Sequence, residues 1–236
     1  MFKTISKFMF MVKVGLKYVK IFKQTFFHPY ITKKSSTTQL SQDRQSYSNK
    51  ILEYLNIEVE VIGEIPSRDR ILYAINHRSL LDIIVMEHIF SNSNKNGTWI
   101  AKQELFESFI YGDFFKYSGC IGVDLESKRG LLSFFKEIKS VFSKVDNFNI
   151  YMFPEGERYK EEGIGEFQSG ASKIAKSNKL EVIPVFINDY LEKVFEDAPY
   201  KEKRKVQVHI GEVISHKNLE DEYIEFMNQA KGKSIE

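Results

Sequence analysis

The sequence contains one cysteine, Cys120. No disulfide can therefore close within the chain, and no cysteine-rich metal site can form. A lone thiol in an apolar stretch suits a reducing compartment and reads as a buried structural group. Long apolar runs are missing too. Before Lys23 the longest stretch without a charge is Phe8–Val12, far short of the roughly 20 residues that span a bilayer. Lysines interrupt this region and no small-residue cleavage site follows, which argues against a secretory signal. Carboxylates are absent from the first 42 positions, Asp43 being the first. Also absent are a G-x-S-x-G elbow, a P-loop, a dinucleotide fingerprint and an H-E-x-x-H pair. His28, His88, His209 and His216 have no partners at metal-ligand spacing and read as structural or surface residues. No metal or prosthetic group is expected.

At 236 residues, 42% hydrophobic and 28% charged, the chain has the composition of an ordinary globular protein. The 20 Phe and 12 Tyr favour a thick core or an apolar ligand. The net charge of +2 conceals an asymmetry. Eight of the 34 Lys and Arg fall in residues 1–34, so the remaining 26 face 32 acids, a formal charge of about −6. On a helical wheel Lys3, Lys7, Lys13, Lys17, Lys20 and Lys23 share one half. Phe8, Met11, Val12, Leu16, Tyr18, Val19 and Phe22 fill the other. Such a helix either lies in a membrane interface with its lysines on anionic head groups or docks on its own domain. No nucleic-acid motif accompanies it.

Residues 33–48 (KKSSTTQLSQDRQSYS) are rich in Ser, Thr and Gln and read as a connection. The expected organisation is a basic arm (1–34), a polar linker (35–50) and one domain (51–236), without internal repeats. Strands are predicted at Val59–Ile62, Ile71–Ile75, Thr98–Ala101, Ile121–Asp124, Asn149–Phe153, Val182–Ile187 and Val206–Ile210. Helices are predicted at 79–91, 102–117, 128–144, 167–178 and 217–231, the third showing the clearest i, i+3, i+4, i+7 pattern. The fold class is α/β: a mixed, largely parallel central sheet of about seven strands flanked by helices.

Sites in such sheets lie beyond the carboxyl ends of the strands, where two segments stand out. Asn76–Asp82 (NHRSLLD) follows the second predicted strand. Ser79 and Asp82 match a helix-start capping pattern, which leaves His77 an ordinary loop residue. The same geometry lets Asp82 reach back to one ring nitrogen of His77 and free the other to take a proton from a hydroxyl. Pro154-Glu155-Gly156-Glu157-Arg158 follows the fifth strand. It is either a plain turn or a charged cluster whose Arg158 suits a phosphate or carboxylate.

The order of the segments resembles the lysophosphatidate acyltransferase (1-acylglycerol-3-phosphate acyltransferase) family. "NHRSLLD" (76–82) looks like the family's His-x4-Asp block, and "AKQELFESFIYGDFFKYSGCIGVD" (101–124) is similar to the region before the second. "FPEGERY" (153–159) resembles Phe-Pro-Glu-Gly-Thr-Arg, while "FQSGA" (167–171) and "VIPVFI" (182–187) look like the closing sequences. The resemblance implies an O-acyltransferase of phospholipid synthesis with His77 as general base and Asp82 as its partner. The acceptor is then lysophosphatidate or a related lysophospholipid. The donor is acyl-CoA or acyl carrier protein, a co-substrate rather than a cofactor. Glu155, Gly156 and Arg158 are implied as substrate-binding residues, with Lys102, Lys128 and Arg129 as further basic candidates. A membrane lipid surface is the expected partner, and the expected location is peripheral or monotopic on the cytoplasmic face.

Three positions depart from the family pattern: Glu157 where Thr is usual, Arg78 after the histidine, and Leu125 where the second block has arginine. Lys128 or Arg129 is the expected replacement for that arginine. Acylation of glycerol-3-phosphate or another lysolipid is the alternative activity. A non-catalytic lipid- or acyl-carrier-binding protein of the same fold is the alternative class.

Overall fold

The computed structural model describes residues 2–124, 128–145 and 147–233. All seven predicted strands form: β1 (Ile57–Ile62), β2 (Ile71–Ile75), β3 (Gly97–Lys102), β4 (Ile121–Val123), β5 (Asn149–Met152), β6 (Glu181–Ile187) and β7 (Arg204–Ile210). They make one sheet in the order β1-β7-β6-β2-β5-β3-β4. Pairing is parallel throughout except between β6 and β7. The helices are α1 (Phe2–Phe26), α2 (Lys33–Leu55), α3 (Leu81–Asn92), α4 (Gln103–Glu107), α5 (Gly112–Tyr117), α6 (Lys128–Phe142), α7 (Gly170–Asn178), α8 (Leu191–Asp197) and α9 (Leu219–Lys233).

Alternation along β2 assigns the two cores. Ile71, Tyr73 and Ile75 face a core shared with Val14, Tyr18 and Phe22 of α1, Leu40, Ile51 and Leu55 of α2, and Val85, Met86 and Phe90 of α3. Leu72 and Ala74 face the opposite core, built from α6, α7 and α9. Because every β2 residue is buried, the strand is apolar on both faces, as central parallel strands are.

The N-terminal region departs from expectation in two ways. Residues 33–48 are not a linker but most of helix α2, which starts at a Thr32 cap accepting from Ser35 N and ends at left-handed Asn56. Its inward side holds polar residues as well as Leu40, Ile51 and Leu55. Ser41, Arg44, Gln45 and Ser48 are also buried, so the apolar periodicity is diluted. Helix α1 forms but is not an isolated arm. Lys7, assigned above to the basic half, is buried and donates to the carbonyls of Phe195 and Glu196, where a helix C-terminus favours a cation. Ile5, Phe8, Met9, Val12 and Leu16 remain outside. The helix therefore docks by one apolar stripe and displays another.

The predicted helix 102–117 is broken into α4 and α5. Gly112 N donates to Ser108 O at 2.7 Å, and a Cβ on Gly112 would stand 2.7 Å from Phe106 O. The close turn thus requires glycine there. Helix α8 lies in a stretch for which no element was predicted.

Candidate active site

Strands β2 and β5 are parallel neighbours, and the chain leaves them toward opposite faces. Helix α3, after β2, packs in one core, while α7, after β5, packs in the other. Such a divergence opens a crevice at the carboxyl ends of two adjacent strands. The segments 76–82 and 153–159 meet there.

The first segment is pinned on its far side to β6. Asn76 extends the ladder with its side chain, donating to Ile187 O and accepting from Ile187 N at 2.7 Å. Arg78 is buried rather than presented to a ligand. Its Nη2 donates to the carbonyls of Ile187, Asn188 and Asp189. The usual position of a small polar residue is therefore used here to tie the loop to the β6–α8 connection.

Asp82 lies in the first turn of α3, where the dipole favours a carboxylate. Its Oδ2 accepts from Arg78 N at 2.7 Å and Ser79 N at 2.8 Å, and stands 3.0 Å from His77 Nδ1. An ionised carboxylate only accepts, so Nδ1 carries the proton. Nε2 is left with its lone pair and has no hydrogen-bond partner among the described residues. Helix α3 starts after Leu80 without a side-chain cap. Ser79 Oγ accepts from Leu81 N at 3.1 Å, and Asp82 ties the two loop amides ahead of the helix with the same oxygen that faces the imidazole.

The second segment completes the cage around His77. The ring of Phe153 stacks on the imidazole at 3.7 Å with an interplanar angle of 8°, and Trp99 stacks behind Phe153 at 5.0 Å. His77 N donates to Glu155 Oε1 at 2.8 Å, while Tyr159 N donates to His77 O at 2.8 Å. The other oxygen of Glu155 accepts from Gly165 N at 3.0 Å. Glu155 is thus placed as a buried brace across both loops, with no oxygen turned to the crevice. Gly156 follows it with φ +75°, a left-handed conformation that glycine adopts without strain.

Arg158 and Glu157 are exposed, and neither has a partner among the described residues. Lys102, also exposed, stands at the end of β3, separated from β2 by β5. Leu125 lies outside the described residues, as do the side chains of Lys128 and Arg129. Sequence reasoning overlooked Phe153, whose only signal was its place at the strand end before Pro154.

Burial pushes the Glu155 carboxyl up to about 7, although the Gly165 and His77 amides pull the other way. A carboxyl raised in the fold contributes stability fully below its unfolded value of about 4.5. That contribution is lost as pH rises to about 7. The stability difference between the protein and Glu155→Gln, measured by urea denaturation, should accordingly shift by about 3 kcal/mol over this window and level off above it. A difference independent of pH would show that the carboxyl does not titrate in the fold.

A family model described as acyltransferase matches residues 56–188. The 1-acyl-sn-glycerol-3-phosphate acyltransferase of Helicobacter pylori is 30% identical over 189 residues, covering 80% of this chain and 73% of that one. A probable enzyme of the same name from Mycoplasma pneumoniae is 28% identical over 50% of this chain and 44% of its own. Its namesake in Streptococcus pneumoniae is 32% identical over 52% and 43%. In structure, the lysophosphatidate acyltransferase PlsC of Thermotoga maritima is similar with a TM-score of 0.64 at 21% identity. The match covers 95% of this chain and 90% of that one, a likeness of fold.

Proposed function

This chain belongs to the 1-acyl-sn-glycerol-3-phosphate acyltransferase family, and on that premise we propose that it moves a fatty acyl chain from a thioester of coenzyme A or acyl carrier protein to the free hydroxyl of lysophosphatidate or a related lysophospholipid. The observation that carries this reading is the His77–Asp82 pair, with Nε2 unpartnered among the described residues. Nε2 takes the hydroxyl proton as the acceptor oxygen attacks the thioester carbonyl, and Asp82 stabilises the imidazolium that results. Collapse of the tetrahedral adduct breaks the carbon–sulfur bond, and the imidazolium returns the proton to the departing thiolate. The products are the diacyl lipid and free thiol, and no acyl-enzyme is needed.

Arg158, exposed at the end of the second segment, supplies the charge for the acceptor's phosphate. Glu157 beside it favours a second acceptor reading, since a negative charge at this place disfavours a doubly charged phosphate over a diester head group. The outer apolar stripe of α1 and its exposed Lys13, Lys17 and Lys20 support action at a membrane surface from the cytoplasmic face. No described helix is long and apolar enough to cross a membrane.

The test is thiol release and acyl transfer by the purified chain, with both donor types and a panel of phosphomonoester and phosphodiester lysolipids. Transfer to lysophosphatidate, with Arg158→Ala raising KM for it about tenfold or more and leaving kcat near its starting value, is the expected result. Thiol release that no acceptor accelerates would replace the transferase reading with a thioesterase. A diester acceptor preferred over lysophosphatidate would establish the second acceptor reading.

A further inference from the structure

The turn between α4 and α5 puts three consecutive uncharged side chains into solvent. Phe109 is 104% exposed, Ile110 77% and Tyr111 55%. The turn is closed by Gly112 N and Tyr111 N donating to the carbonyl and Oγ of Ser108, so the backbone beneath the tip is held. On one side α4 begins directly at the carboxyl end of β3, the sheet edge that carries His77 and Asp82. On the other, α5 is bound to α1. Phe114 meets Phe22 at 5.3 Å, Tyr117 meets Phe26 at 5.4 Å, and Asp113 pairs with Lys23 at 2.6 Å. The tip therefore joins the active edge to the helix whose outer side displays Ile5, Phe8, Met9, Val12 and Leu16.

Exposed aromatic and aliphatic side chains at a projecting turn cost free energy in water and gain it in an interface. A protein partner needs a complementary patch of about 800 Å² on each side, whereas a convex tip of three residues suffices to enter lipid. Around the tip, exposed Glu104 and Glu107 are balanced in number by exposed Lys102 and Lys116, so net attraction to anionic head groups falls to Lys13, Lys17 and Lys20 of α1. We infer that Phe109-Ile110-Tyr111 is a wedge that enters the lipid leaflet and, together with the outer stripe of α1, seats the carboxyl edge of the sheet against it. This rests on the reading of the acceptor as a lysolipid. It also explains how a hydroxyl held at the leaflet surface reaches His77 without the lipid leaving the membrane.

The experiment uses the full chain and vesicles of phosphatidylglycerol and phosphatidylcholine. In Phe109→Trp, vesicles should move the new emission to the blue and chain-brominated lipid should quench it, over a constant background from buried Trp99. In Phe109→Ser/Ile110→Ser, vesicle partitioning should fall about tenfold. The rate on vesicle-borne acceptor should fall with it, while the rate on a monomeric short-chain acceptor stays unchanged. Absent quenching together with unchanged partitioning would overturn the wedge. So would an equal loss on the soluble acceptor, or a dimer formed without vesicles and abolished by the double substitution. If the chain acylates no lysolipid yet the tip is quenched, the proposed activity fails and the wedge stands.

Discussion

His77→Ala should lower acyl transfer by about three orders of magnitude or more, because it removes the group to which the proposed mechanism assigns the hydroxyl proton. The informative partner variant is Asp82→Asn. Both backbone amides and His77 Nδ1 converge on a single carboxylate oxygen, Oδ2. An amide oxygen can take that position and keep all three bonds, and the Arg78 and Ser79 N–H donors oppose the flip that would bring the amide nitrogen there. The imidazole tautomer should consequently survive. What disappears is the negative charge beside the imidazolium, and kcat should fall by about two orders of magnitude at nearly unchanged stability. Asp82→Ala also leaves the buried Arg78 and Ser79 amides without their acceptor, so it should cost about 1–3 kcal/mol of folding free energy as well. Thioester assays with matched urea titrations separate the cases. An active His77→Ala protein would assign the base elsewhere, and Asp82→Asn as inactive as His77→Ala would mean that the tautomer had flipped.

The dyad was legible because both of its members lie on one short segment. A histidine after a strand and an aspartate in the next helical turn are within reach by local geometry alone. Glu155 was not legible in the same way. The resemblance implied a substrate-binding role for it, whereas in the fold its oxygens accept from His77 N and Gly165 N. The first of these bonds spans 78 positions of sequence and exists only because β2 and β5 are neighbours. The strands were readable since residues 71–75, 150–152 and 182–187 are short apolar runs with both faces buried. Helix α2 was hidden for the opposite reason. Its inward side is held by hydrogen bonds from Arg44 and Gln45 as much as by apolar packing. The tip at Phe109–Tyr111 kept a helical pattern of apolar residues, and pattern alone does not say which of them meets protein.

Arg44→Ala should destabilise the fold by about 3–5 kcal/mol, the usual cost of leaving a buried charge without its partner. Arg44 and Glu87 are both buried, with Nε to Oε1 at 2.6 Å. The other guanidinium nitrogens donate to Gly97 O and Ser118 O, and Trp99 Nε1 shares Glu87 Oε1 at 2.9 Å. Arg44→Lys should recover little, since one ammonium cannot direct donors along three separate lines. Arg44→Met combined with Glu87→Leu should be less destabilised than Arg44→Ala, because it removes the stranded carboxylate together with its partner. Urea midpoints at constant m decide the matter, and a loss below about 1 kcal/mol in Arg44→Ala would mean that helices α1 and α2 are only appended. The pair also bears on function. Glu87 lies five residues beyond Asp82 on α3, and Arg44 lies on α2, the helix against which α1 packs. One buried ion pair thus ties α2, against which α1 packs, to the helix that carries Asp82, which is the rigid connection that the proposed seating on a lipid surface requires.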